Sequence, residues 1–194
     1  MKTSLRIAAL LLAFGFNRTA ARADATKSAE GEEAAGITSS KCDRVSDNLV
    51  GNCGFETGAY YPWLHSQPPC FCAVTGQSRF TGNFGLEYGP TSLTYVWQLI
   101  PTVPGQQYKV SFLLRNIGGE DPVAKETVVQ SNLFRMYWEG DLVYELADAP
   151  QFPWTPIQVD GFLASRATSE LRFGFYNPQD WWHFDDVVIV PSPK

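Results

Sequence analysis

The sequence holds few of the side-chain patterns that catalysis requires. It contains no G-x-S-x-G nucleophile motif, no H-E-x-x-H metal motif and no Gly-rich phosphate loop. Asp185 and Asp186 form the most suggestive acidic pair, but adjacent residues of a strand point to opposite faces, whereas glycoside hydrolysis needs carboxylates that converge. The two histidines, His65 and His183, stand in no catalytic pattern. We therefore predict that the protein is not an enzyme.

The four cysteines, Cys42, Cys53, Cys70 and Cys72, have the chemistry to form disulfides or to bind a metal. If the chain is exported, as its N-terminal pattern predicts below, an even number favours two disulfides, in one of three connectivities. Cys70 and Cys72 would share one face of a strand, so a bond between them would be strained. We therefore predict that both pair with Cys42 and Cys53. Zinc is the alternative, but C-x-C without a histidine cluster lacks the usual ligand spacing.

Aromatic and arginine side chains supply chemistry suited to sugars. The apolar C–H face of a sugar ring stacks on an aromatic plane, and its hydroxyls bond polar or charged groups at the rim. If Val96 and Ile100 point into a core, strand alternation gives a binding face that Trp97 and Tyr137 lead. The predicted ligand-binding residues are Tyr95, Trp97, Arg115, Arg135, Tyr137, Arg172 and Tyr176. The arginines suit an acidic or heavily hydroxylated glycan, although arginine is also an ordinary cross-strand partner of Glu and Asp.

A second candidate site is a set of loop aromatics at one end of the fold. Its members are Tyr60, Tyr61, Trp63, Trp181 and Trp182. Any single aromatic residue of either set could instead cover the edge of the core. We favour the sheet face, because alternation assigns a direction to its residues and none to those of the loops.

The elements that must position these residues are strands. Short segments rich in Val, Phe, Tyr and Trp alternate with period two between Gly and Pro residues, which is typical of an all-β protein. Clear strands are predicted over 93–100, 107–116, 132–138 and 170–177, weaker ones near 71–74, 142–146 and 157–163, and end strands within 48–58 and 184–190. These make about nine strands, enough for a two-sheet β-sandwich. Exposed loops are predicted over 118–127 and 147–154, and no helix is predicted.

The inward alternation of three of these strands predicts the core. Its members are Tyr108, Val110, Phe112, Leu114, Phe134, Met136, Trp138, Leu171, Phe173 and Phe175.

The N-terminus has the pattern of a secretory signal peptide. Lys2 and Arg6 precede an apolar run over 7–16, and Ala23-Asp24-Ala25 offers a cleavage site, so we assign residues 1–25 to the signal. The apolar run is too short to span a bilayer. Residues 26–41 are mostly polar and predict a flexible acidic linker, followed by the β domain over 42–190 and a tail over 191–194. We expect a secreted, extracellular or periplasmic protein.

The chain is acidic, with a formal net charge of -5. Nucleic acids and anionic membrane surfaces attract basic patches, so neither is an expected partner.

Several of these patterns occur together in one known family. Asn52-x-x-Phe55-Glu56-x-Gly58 near the start of the domain and Phe184-Asp185-Asp186 with its following β-branched run resemble the first and last strands of carbohydrate-binding modules of the family 4 and 9 type. The segments between them that resemble the family's are Pro104-Gly105-x-x-Tyr108-x-Val110-x-Phe112, Phe134-x-Met136-x-Trp138-x-Gly140 and Leu171-x-Phe173-x-Phe175. The resemblance implies a galactose-binding-like jelly roll that binds carbohydrate without catalysis. The four cysteines and the aromatic segment 60–63 depart from the pattern.

The resemblance also implies a structural calcium ion where the first and last strands meet. Glu56 and one of Asp185 and Asp186 match the ligand positions. Calcium takes six to eight oxygen ligands, and neighbouring carboxylates repel unless a cation separates them. The alternative is a pair of solvated acidic residues at a sheet edge.

The sequence thus predicts a secreted, non-catalytic domain that recognises a poly- or oligosaccharide through an aromatic and arginine face. The alternative is a structural or adhesive jelly roll without a sugar site, and an enzyme is a third hypothesis. Exposed aromatic residues that converge would favour the first, a flat apolar patch the second, and a buried pair of carboxylates in a pocket the third.

Overall fold

The protein folds as an antiparallel β-sandwich of ten strands. The computed structural model describes residues 39–67, 70–117 and 131–193. The strands are β1 (Leu64–His65), β2 (Cys72–Thr75), β3 (Gly85–Tyr88), β4 (Thr94–Pro101), β5 (Gln107–Asn116), β6 (Leu133–Trp138), β7 (Asp141–Ala147), β8 (Phe152–Leu163), β9 (Thr168–Tyr176) and β10 (Trp182–Pro191). Two single 3₁₀ turns, Cys42–Arg44 and Gly76–Ser78, are the only helical segments in these ranges. The predicted all-β fold is confirmed, with one strand more than expected.

The strands divide equally between two sheets. The first sheet has the order β1-β4-β9-β6-β7 and the second the order β2-β3-β10-β5-β8. Every neighbouring pair is antiparallel. Because most neighbours are not consecutive in the chain, the polypeptide crosses repeatedly from one sheet to the other, as in jelly rolls.

The core lies between the two sheets and is rich in aromatic rings. All ten residues of the predicted core are buried, none with more than 4% of its surface exposed. Phe112 of the second sheet has its ring centroid 5.4 Å from that of Phe134 and 5.3 Å from that of Phe173, both in the first sheet. The prediction from strand alternation is therefore confirmed.

The predicted first strand within 48–58 is wrong. Asn52 and Phe55 have φ angles of 49° and 61°. The Phe55 N–H donates to the Asn52 carbonyl and the Gly58 N–H to the Phe55 carbonyl, which forms two successive turns. Positive φ angles are incompatible with a β-strand, so the period-two alternation of the sequence here does not reflect a strand. Phe55 is nevertheless fully buried, against Trp63 at 5.8 Å between ring centroids.

Two short strands, β1 and β3, have no counterpart in the prediction. The expected loop over 118–127 lies outside the described residues, and the one over 147–154 is interrupted at Phe152, where β8 begins. Ala149 in this loop is buried, because its backbone bonds the Asn132 and Asn116 side-chain amides.

The predicted disulfide connectivity is also wrong. The bonds join Cys42 to Cys53 and Cys70 to Cys72. The two pairs lie beside different residues of β10. The Cys42 N–H donates to the Asp186 carboxylate, whereas Cys72 pairs with Tyr88 of β3, which in turn pairs with Trp182. Four residues of strand span roughly 13 Å, too far for a bond between the pairs. Phe71 has a φ of 45°, so the chain turns between Cys70 and Cys72 and does not hold both sulfurs along a strand.

The predicted signal peptide and most of the predicted linker lie outside the described residues. The last linker residues are described, and Ser40 there is fully buried and donates its N–H to the Asp43 carboxylate. No helix in the described ranges is long and apolar enough to cross a membrane.

Replacing Phe112 with alanine tests the aromatic core. We expect Phe112→Ala to lower the free energy of unfolding by about 3–5 kcal/mol, because the ring is fully buried between the sheets. Urea denaturation measures the loss, and Leu163→Ala, at a side chain with 57% exposure, should change it by less than about 0.5 kcal/mol. A loss below about 1 kcal/mol for Phe112→Ala would contradict this view of the core.

Candidate functional site

The outward surface of the first sheet gathers most of the predicted sugar-binding residues. Trp97 of β4 lies opposite Arg172 of β9, and Arg172 lies opposite Tyr137 of β6. Residues opposite one another in a sheet share a face. Six of the seven predicted residues lie here, and we call them the aromatic–arginine face: Tyr95, Trp97, Arg135, Tyr137, Arg172 and Tyr176.

The side chains of this face contact one another. The guanidinium carbon of Arg172 lies 5.5 Å from the centroid of the Tyr95 ring and 5.7 Å from that of Trp97. The Tyr95 and Tyr137 rings meet edge to face at 6.1 Å. Cation–π and edge-to-face contacts of this kind hold the rings in defined positions before any ligand arrives.

Two glutamates, Glu145 and Glu170, complete the polar part of the face. Arg135 Nε bonds the Glu145 carboxylate at 2.8 Å, and Arg172 Nη2 bonds that of Glu170 at 2.7 Å. The Nε atom of Arg172 is buried and has no protein partner. The face therefore presents aromatic planes beside both N–H donors and carboxylate acceptors.

Gly174 gives the Tyr95 ring room to lie across the sheet. Gly174 of β9 lies opposite Tyr95 of β4 on one side and opposite Arg135 of β6 on the other. A Cβ atom at this position would lie 2.9 Å from the Tyr95 ring, closer than packed side chains tolerate. Burial, followed by the neighbouring Tyr137 hydroxyl, raises the pKa of the Tyr95 phenol. Tyr95 therefore remains a neutral hydroxyl at physiological pH.

Sequence reasoning missed three exposed leucines on this surface. Leu64 lies opposite Trp97, Leu142 opposite Tyr137, and Leu99 two residues beyond Trp97 on β4. Between 48% and 57% of each is exposed. The alternation of β4 could have found Leu99, but a two-residue strand such as β1 has no pattern that would reveal Leu64.

Arg115, the seventh predicted ligand-binding residue, lies elsewhere. It belongs to β5 of the second sheet and lies opposite His183 of β10. Burial, with a smaller effect of the Arg115 charge, lowers the pKa of His183 to about 4. Strand alternation correctly turns Arg115 outward, but it does not tell which of the two sheets a strand joins.

The loop aromatics do not form a common open surface. Trp63 and Trp182 are buried in the core, with at most 2% exposed. Tyr60 is half-buried against the His65 ring at 4.1 Å between centroids. Tyr61 and Trp181 remain exposed, at 82% and 37%. This alternative site therefore loses two of its five aromatic residues to the core.

The carboxylates predicted to bind calcium are engaged with hydrogen-bond donors. Glu56 accepts the N–H groups of Asn83 and Phe84 at 2.8 and 3.2 Å, and a Cβ at Gly82 would overlap its carboxylate. Asp185 accepts the N–H groups of Phe80 at 2.7 Å, Thr81 at 3.2 Å and its neighbour Asp186 at 2.7 Å. These acidic residues anchor the loop around 80–84 to the rest of the fold.

Asp185 and Asp186 do not point to opposite faces, contrary to the expectation for a regular strand. The register of β10 against β5 shifts between Asp185 and Val188, and Asp186 has a φ of 51°. This β-bulge lets both carboxylates reach Thr81, since its hydroxyl donates to Asp186 at 2.7 Å. Burial raises the pKa of Asp185 to about 8, although its backbone donors oppose the rise.

These residues fit calcium only in part. They are acidic oxygen ligands, as calcium requires, but the contacts described above already direct N–H and O–H hydrogens at these oxygens, and such hydrogens repel a cation. Glu56 and the two aspartates are not among the clusters of three metal-ligating side chains within 4.8 Å that the described ranges contain. Calcium binding therefore stays a prediction.

A concave region lies on the outer surface of the second sheet. This cleft has a volume of about 360 Å³ and is bordered by Lys41, Phe80, Leu113, Trp154 and Asp186. The Phe80 and Trp154 rings stand 5.6 Å apart, and the Lys41 ammonium lies 5.1 Å from the Phe80 centroid. The enzyme hypothesis called for a buried pair of carboxylates in a pocket, but of the buried Asp185 and Asp186 only Asp186 borders this cleft. Its oxygens already accept the Cys42 N–H and the Thr81 hydroxyl.

Neither a family model nor a curated protein sequence matches the chain. Solved structures do. A family 61 carbohydrate-binding module in complex with β-1,4-galactotriose has a TM-score of 0.59 and 17% identity, covering 76% of this chain and 100% of that one. A family 16 carbohydrate-binding module has a TM-score of 0.53 and 15% identity, covering 74% and 99%. A Stig cyclase from Fischerella sp. TAU has a TM-score of 0.51 and 13% identity, covering 75% and 97%.

The chain shares the jelly-roll fold of carbohydrate-binding modules. At these identities the likeness concerns the fold alone, and the particular resemblance to families 4 and 9 stays a prediction. The cyclase illustrates that one fold can hold unrelated functions, so function must be argued from the site.

Removal of divalent ions tests the calcium prediction. If Glu56 and one of the two aspartates bind calcium, EDTA will lower the melting temperature and excess calcium will restore it, because the ion stabilises only the folded state. Glu56→Gln should abolish this response while keeping a hydrogen-bond acceptor for the Phe84 N–H. A melting temperature that EDTA does not change in the wild-type protein would contradict the prediction.

Proposed function

We propose that this protein is a secreted, non-catalytic carbohydrate-binding domain that holds a poly- or oligosaccharide on the aromatic–arginine face. The observation that supports it most is the cross-strand row of Trp97, Arg172 and Tyr137, in which a guanidinium lies between aromatic side chains. Flat apolar planes beside polar groups are the combination that a sugar ring requires.

The span of the row favours an oligosaccharide over a single sugar. Trp97 and Tyr137 stand two strands apart, a distance of roughly 10 Å, which one sugar ring does not bridge. Leu64 and Leu142 continue the row at its two ends. A chain of sugar units that runs across the strands would contact all of them.

The paired charges suit hydroxyl groups. A sugar hydroxyl both donates and accepts, so it can bond a guanidinium N–H and a carboxylate oxygen of the same ion pair. Arg172 and Glu170 form one such pair. Because the protein contacts already fix these side chains, binding costs less conformational entropy.

Export is proposed on two grounds. Residues 1–25 have the pattern of a signal peptide. The disulfides Cys42–Cys53 and Cys70–Cys72 use every cysteine of the chain, as is typical of proteins in oxidising compartments.

An adhesive or structural role is the second candidate, and the exposed leucines favour it. Leu64, Leu99 and Leu142 add apolar area to the same surface, and such area commonly marks protein interfaces. Sedimentation analysis separates the two hypotheses, because an adhesive face predicts self-association that Leu99→Asp would abolish.

Trp97→Ala tests the proposed function. A screen of neutral and acidic glycans first identifies a ligand, and calorimetry then measures its affinity. We expect Trp97→Ala to weaken binding at least tenfold, since it removes a stacking plane, with little change in melting temperature because the side chain is not in the core.

Trp181→Ala is the matched control, since it removes an exposed loop tryptophan and should leave affinity unchanged. Unchanged affinity in Trp97→Ala, or a loss confined to Trp181→Ala, would contradict a binding site on the sheet.

A further inference from the structure

His65, Cys70 and Cys72 form a cluster that the sequence did not reveal. A ring nitrogen of His65 and the sulfurs of both cysteines lie within 4.8 Å of one another. His65 comes from β1 in the first sheet and Cys72 from β2 in the second, so only the folded sandwich brings them together. His65 and Cys72 are half-buried, which leaves a route from solvent.

The His65 ring is held in one orientation. Its Nδ1 lies 2.9 Å from the Ser66 carbonyl oxygen, so this nitrogen carries the proton and donates it. The lone pair of the neutral ring is then on Nε2. The ring also packs on Tyr60 at 4.1 Å between centroids. Histidines that bind metals are commonly oriented by a carbonyl acceptor in this way.

The backbone at Phe71 fixes the two cysteines. Phe71 has a φ of 45°, in the left-handed region that a phenylalanine rarely adopts, and its carbonyl accepts the Gly89 N–H at 2.8 Å. This turn brings both sulfurs toward the same point. The missing histidine partner was the argument against a C-x-C metal site, and the fold supplies it.

We propose that Cys70, Cys72 and His65 form a redox-gated binding site for a thiophilic divalent ion such as Zn²⁺. In the disulfide form the sulfurs bind each other and the site is closed. A thiol reductant donates two electrons and two protons, is itself oxidised to a disulfide, and leaves two Cys thiols. Zn²⁺ then displaces both thiol protons and takes two thiolates, the histidine nitrogen and a water as its four ligands.

The distances suit this ion. Zinc–sulfur bonds of about 2.3 Å and zinc–nitrogen bonds of about 2.0 Å put tetrahedral ligand atoms about 3.5 Å apart. The His65 nitrogen, within 4.8 Å of both sulfurs, must approach them by about 1 Å, and the two sulfurs, which are bonded to each other in the disulfide, must separate to about 3.5 Å after reduction. Two thiolates balance the charge of the ion, so the site requires no further anion.

Metal titration of the full chain, with and without a phosphine reductant, tests the proposal. The reduced wild-type protein should bind one Zn²⁺ at least tenfold more tightly than reduced His65→Ala, and the oxidised protein should show no such site. Co²⁺ in the same site should produce thiolate-to-metal charge-transfer absorption, which Cys70→Ser with Cys72→Ser should remove.

Reduction also opens Cys42–Cys53, which lies beside Asp43 in a second cluster within 4.8 Å. Asp43→Ala is therefore the matched control and should leave the affinity for Zn²⁺ unchanged. Equal affinities of wild type and His65→Ala, or a loss of binding in Asp43→Ala, would overturn the proposal. Loss of the near-ultraviolet circular dichroism of the folded protein on reduction would also overturn it, because the site requires β1 and β2 to be in position.

Discussion

The packing of aromatic rings between the two sheets is the constraint on which the rest of the structure depends. Val96, Phe173 and Met136 lie opposite one another across β4, β9 and β6, and all three are fully buried. Since a strand alternates with period two, burying this row turns the next row outward. A register slip of one residue in β9 would bury both Arg172 and Glu170 among aromatic rings, so the core also fixes the identity of the exposed face.

This dependence explains which features the sequence could predict. The ten core residues and the outward direction of Trp97 or Tyr137 follow from alternation within single strands, which needs no knowledge of tertiary contacts. The sheet assignment of Arg115 depends on contacts between distant segments, and the Cys70–Cys72 bond depends on the positive φ angle of Phe71. Alternation within a strand contains neither. The short strand β1, with Leu64 and His65, has too few residues to show any period.

The errors near the ends of the domain have a common physical origin. Between Asn52 and Gly58, and again at Asp186, the backbone adopts positive φ angles in residues other than glycine. These turns and the bulge in β10 are stabilised by tertiary hydrogen bonds, such as the Cys53 carbonyl with the Val187 N–H and the Asp186 carboxylate with the Cys42 N–H. The alternation of residue types does not reveal such bonds. The sequence therefore predicted a strand within 48–58, and it predicted that the side chains of Asp185 and Asp186 point to opposite faces.

The central claim is that carbohydrate binds the exposed face of the first sheet, and the six tryptophans of the chain offer a direct test. Each indole N–H gives one signal in a ¹⁵N–¹H correlation spectrum, and variants assign the signals of Trp97, Trp154 and Trp181. Addition of a glycan identified by array screening should shift the Trp97 signal most, while those of Trp154 in the second-sheet cleft and Trp181 in the loops stay in place. A shift of the Trp154 or Trp181 signal with an unmoved Trp97 signal would contradict the account.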